Sequence, residues 1–148
     1  RLNERSNLCK RTAYQRVPNT FQFPVSAQPT IVFCQGTPTA PTYPEAVVLA
    51  WLLTADPSTR DALVLQANRG AVNSNGPKDT ARVLSLTYQS TAGSAGLGEG
   101  AVSTMAVTTR VVDKAGVERG YAWTLEEQKP TTVKETARWL ITQVVQAP

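Results

Sequence analysis

The chain contains no histidine. That excludes Ser-His-Asp and Cys-His nucleophilic catalysis within it, and histidine-ligated zinc or haem. Cysteine is scarce: Cys9 and Cys34 are the only two, and no CxxC spacing exists for redox or zinc chemistry. Charge is thin as well. Only 18% of the residues are charged, and positions 17–59 carry no Lys or Arg and just two acids, Glu45 and Asp56. No apolar run approaches the roughly 20 residues of a membrane-spanning helix. No N-x-S/T sequon is present, so N-linked glycosylation is not indicated.

What is there has a globular balance. The 148 residues are 41% apolar, too apolar for a disordered tail. By length they form one domain that buries about two-thirds of its unfolded surface in a single core. The net charge of +4 is unevenly placed. Arg1, Arg5, Lys10, Arg11 and Arg16 oppose only Glu4 in the first sixteen residues, while the remainder is neutral. We therefore divide the chain into a basic N-terminal arm, 1–19, and a single α+β domain, 20–148, whose first part, 20–44, is a Pro-rich extended strap. The five cations of the arm are candidates for anion or phosphate contact.

The strap alternates Phe21 and Phe23, and Ile31-Val32-Phe33 is β-prone. Pro24 and Pro29 interrupt any ladder and argue for an edge strand. An uncharged apolar segment of this kind is costly to leave in water, so it must lie against its own sheet or a partner. A Cys9–Cys34 disulfide would close a loop worth roughly 3 kcal/mol and would tie arm to strap in an oxidising compartment. That bridge, with the chain starting at Arg1 rather than Met, points to an extracytoplasmic location, periplasmic, secreted or particle-associated.

Thr42-Tyr43-Pro44-Glu45 reads as a capping box with Pro in the first turn. The helix that follows to about residue 55 is apolar on every side, hence buried centrally or under a partner. Asp56 caps a second helix with Pro57 at its first position, expected to run to about Asn68 and stop at Gly70. Residues 71–79 read as loop. Leu84, Leu86 and Tyr88 then alternate with polar residues as a half-buried strand. Met105, Val107, Thr109 and Val111 share one face of a hairpin's first arm. Arg119, Tyr121, Trp123 and Leu125 share one face of its second, with Asp113-Lys114-Ala115-Gly116 as the turn. A final amphipathic helix is expected from Thr132, carrying Val133, Ala137, Leu140, Ile141 and Val144 on one stripe, with Trp139 facing away. The fold class is thus α+β: an antiparallel sheet of about three to five strands, a helix pair before it, and a C-terminal amphipathic helix packed on one face.

Catalytic signatures are weak. The stretch 93–100 is Gly-rich but is not GxGxxG, lacks the P-loop lysine and leads into a strand. Glu126 and Glu127 are neighbours on a strand and point to opposite faces. Asn73-Ser74-Asn75-Gly76 lacks the charge of a calcium loop. The sequence is expected to encode no enzyme, with no cofactor and no metal. The leading expectation is a structural or assembly subunit of a larger complex, a homo- or hetero-oligomer without a membrane span. Its interface candidates are Phe21, Phe23, Trp51 and Trp139. One alternative is a coat or packaging protein that uses the arm on nucleic acid. Another is a small-ligand-binding domain with a pocket lined by Trp123 and Tyr121.

Overall fold

The computed structural model describes residues 15–30, 43–91, 103–128 and 138–148. Five antiparallel strands form one sheet in the order β1 (Thr20–Gln22), β2 (Thr80–Ser90), β3 (Thr104–Asp113), β4 (Glu118–Gln128) and β5 (Arg138–Ala147). Before β2 come, among the described residues, three short α-helices: α1 (Pro44–Leu53), α2 (Pro57–Ala62) and α3 (Arg69–Asn75). A 3-10 turn, Gln66–Asn68, precedes α3.

The hairpin follows its alternating pattern. Val107 lies opposite Trp123, and Thr109 opposite Tyr121. All four are buried on the face that carries the core. Gly116 turns the chain at φ 85, a backbone region open to glycine and costly for side chains with a Cβ. α1 runs under this face, and every residue from Pro44 to Leu52 is buried, as expected of a helix without a polar side. Trp51 of α1 meets Trp123 edge to face with ring centroids 5.4 Å apart. The Trp123 indole N–H donates to the Thr109 hydroxyl at 2.9 Å.

Three expectations are corrected. First, the C-terminal helix is absent from 138–147, which instead form β5 along β4; residues 132–137 lie outside the described residues. The misleading signal is a β-bulge. Ile141 pairs with Leu125 and Gln143 with Thr124, so Thr142 has no opposite residue. The bulge places Ile141 and Val144, three apart, on the same buried face and so imitates helical spacing. The Ile, Thr and Val content of this segment favours a pleated surface once a partner strand exists. Second, in a strand Trp139 shares its face with Ile141, and it packs half-buried against the core margin. It does not point away from the stripe. Third, the second helix ends at Ala62. The chain at 63–65 is drawn to the outer edge of β5: Ile141 N–H donates to Leu63 O, and Leu65 N–H to Ile141 O, both at 2.9 Å. Gly70 accordingly lies inside α3, in a stretch read as partly loop.

The start of α2 follows its sequence signal. The Asp56 carboxylate accepts from Thr59 N–H at 2.9 Å and from the Thr59 hydroxyl at 2.7 Å, with Pro57 in the first turn. The box at α1 works differently. The N-cap is Tyr43 without a side-chain cap bond, and the Glu45 carboxylate turns to another partner.

Candidate functional site: the strap groove on strand β2

The outer edge of β2 holds the described part of the strap. Phe21 pairs with Leu86, and Thr20 with Thr87. At one end Phe23 N–H donates to Leu84 O; at the other Tyr88 N–H donates to Asn19 O, each at 2.9 Å. The Tyr88 hydroxyl donates to Val17 O at 2.7 Å. Phe21 and Phe23 touch edge to face at 5.0 Å. Farther along, the Gln28 amide acts as a one-residue strand. Its Nε2 donates to Val83 O at 3.0 Å, and its Oε1 accepts from Val83 N–H at 2.8 Å. Gln28 thereby satisfies edge groups that would otherwise recruit another chain.

An ion pair with a fully buried carboxylate sits at the head of this segment. The Arg16 guanidinium donates from Nε to Glu45 Oε2 at 3.0 Å and from Nη2 to Oε1 at 3.2 Å. The Glu45 side chain is wholly buried while that of Arg16 keeps 38% of its surface exposed. The guanidinium carbon also lies 4.4 Å from the Tyr43 ring centroid and 4.6 Å from that of Tyr88, within cation–π range. Desolvation pulls the Arg16 pKa down, but the hydrogen bond and charge of Glu45, helped by both tyrosines, leave it above the ordinary arginine value. The planar fork suits a carboxylate held in one orientation; a lysine could not make the same pair of bonds.

A second feature is a shallow depression of about 200 Å³ at the turn end of the sheet, lined by Lys78, Asp113, Arg119 and Tyr121 among others. Its charges are already engaged. Lys78 Nζ donates to Asn73 O at 2.6 Å, closing the end of α3, and Arg119 lies 3.7 Å from Asp113. Among the described residues no group of three or more acidic or cysteine side chains could hold a metal ion. No helix is long and apolar enough to cross a membrane among those residues.

The sequence-derived site residues are thus distributed as follows. Trp51 and Phe23 are enclosed by their own chain at 1% and 8% exposure. Phe21 and Trp139 are half-buried beside the core. Arg16 is committed to Glu45. Tyr121 reaches the depression, whereas Trp123 is buried against Trp51. Arg1, Arg5, Lys10, Arg11, Cys9 and Cys34, with any disulfide, lie outside the described residues. Sequence pattern alone does not mark Glu45, Tyr43 and Tyr88 as binding residues. The available signal was Glu45 itself, a lone acid leading an otherwise apolar helix, which needs a cation if the helix is buried. Compared with protein-family models, with curated proteins and with solved structures, the chain matches none.

Proposed function

We propose that the chain is a non-enzymatic structural subunit that assembles with further copies of itself through its arm and strap. The observation that supports this most is the way segment 16–23 binds the β2 edge. An arginine anchor, main-chain bonds to Asn19 and Phe23, and two alternating phenylalanines are the elements by which an extended peptide is held when it is added to a sheet edge. A second arginine serves the fold in the same way: Arg60 lies over the Trp51 ring at 4.1 Å and donates to Trp51 O at 3.0 Å.

Sedimentation velocity on the full chain between micromolar and a few hundred micromolar tests the reading. Self-assembly predicts a mass that rises above 16.0 kDa with concentration. A constant single-chain mass over that range overturns it.

A further inference from the structure

We propose that the sheet face turned away from α1 is an interface, and that its occupant is the same face of a second copy. This deepens the self-assembly reading and rests on it, because β1, the described part of the strap, forms one margin of that face.

The strand register defines the face. Thr20 lies opposite Thr87, Thr87 opposite Thr108, Thr108 opposite Ala122, and Ala122 opposite Val145. This row crosses all five strands. The residues beside it along the strands, Leu86, Thr109 and Tyr121 among them, turn to the helix side and are buried there. Within the row itself Thr20, Thr87, Thr108 and Val145 are exposed, Val145 to 43%. The next row, Ala106, Thr124 and Gln143, is uncharged as well. In the row on the other side, from Gln22 to Ala147, the one charge is that of Arg110, whose Nε donates to Glu118 Oε2 at 2.6 Å.

Area and charge both point to a second copy. Three rows about 6.7 Å apart on strands about 4.8 Å apart project to roughly 450 Å². Side-chain relief adds to that projection, so two such faces in contact remove about 1,000 Å² or more from water, the level at which a specific pair holds together. An uncharged row set against its own twofold image brings no like charges together. Its threonine, alanine and valine side chains are short, so two sheets can approach to the roughly 10 Å spacing of a sandwich. The methyl groups of the threonines and of Val145 then leave water, which supplies the driving force.

Thr108 separates this arrangement from other modes of association. It lies on β3, the middle strand, two strands from either edge of the sheet. Docking of faces therefore feels a change at Thr108, and pairing of edges does not. The full chain is compared as wild type, Thr108→Lys, Thr87→Lys and Ser58→Lys, the last at an exposed position on α2. Sedimentation velocity gives the dimer dissociation constant, and circular-dichroism melts verify the fold. A lysine at Thr108 or Thr87 puts an unpaired cation inside the interface and should raise the dissociation constant about tenfold or more. Ser58→Lys should leave it unchanged. If Thr108→Lys fails to fold, Thr87→Lys carries the same reading. Wild-type affinity in the folded lysine variants of the face overturns this interface and leaves self-assembly through another surface intact. Equal weakening by Ser58→Lys also overturns it, because the effect would then report added charge and not the face. A wild type that stays a single chain up to a few hundred micromolar removes the self-assembly reading, and the interface with it.

Discussion

The Trp123–Thr109 bond offers a quantitative check on how the sheet and α1 fit together. Both groups are buried, Thr109 completely and Trp123 at 1% exposure, and the bond joins adjacent strands at 2.9 Å. Replacing Trp123 by Phe removes part of the indole, on the order of 1–2 kcal/mol of apolar burial. It also leaves the Thr109 hydroxyl without this donor, on the order of 1–3 kcal/mol more. Thr109→Val keeps the side-chain shape but orphans the indole N–H, again on the order of 1–3 kcal/mol. In the double variant neither polar group remains, so only the loss of ring surface should persist. The double variant should therefore cost less than the sum of the single ones by both orphan penalties together, roughly 2–6 kcal/mol. Urea unfolding followed by far-ultraviolet circular dichroism at neutral pH gives each value. If Trp123→Phe costs the same in the Thr109→Val background as in wild type, within about 0.5 kcal/mol, the two side chains do not meet and the hairpin register is wrong.

Two further predictions concern the helices. A Cβ at Gly76 would fall 2.6 Å from Trp51 Cη2 and 2.8 Å from Val72 O, whereas one at Gly70 in α3 meets no atom within 4 Å. Gly76→Ala should thus destabilise by about 1–3 kcal/mol, and Gly70→Ala should stabilise by about 0.5–1 kcal/mol; equal effects in thermal melts would refute this packing of Trp51. The side-chain and backbone hydrogen bonds from Thr59 hold Asp56 below the ordinary aspartate pKa. A depressed folded-state value means that its stabilisation is present above the unfolded value, about 3.9, and is lost as pH falls through the folded one. Asp56→Ala should lower the urea midpoint at pH 7, and the gap from wild type should close on acidification below about pH 4; a gap that stays constant would show that the carboxylate does not cap α2.

Local pattern alone determined several parts of this protein. Alternation placed Val107, Thr109, Tyr121 and Trp123 on one face of a hairpin, because a strand turns successive side chains to opposite sides. Asp56-Pro57 marked a helix start, because an oxygen acceptor and a fixed φ suit the first turn. The lack of a polar side on 46–53 marked a buried helix. Other features depended on residues far apart in sequence. The bulge at Thr142 exists only against β4, and it gave a strand the spacing of a helix. The second helix is cut short by backbone bonds to Ile141, which no window around Ala62 contains. Arg16 and Glu45 were each legible, one as a cation of the arm and the other as a capping acid. Their pairing was not, because two charges 29 positions apart carry no local sign of contact. Only the packing of α1 beneath the sheet takes Glu45 out of water and makes a cation at that position necessary.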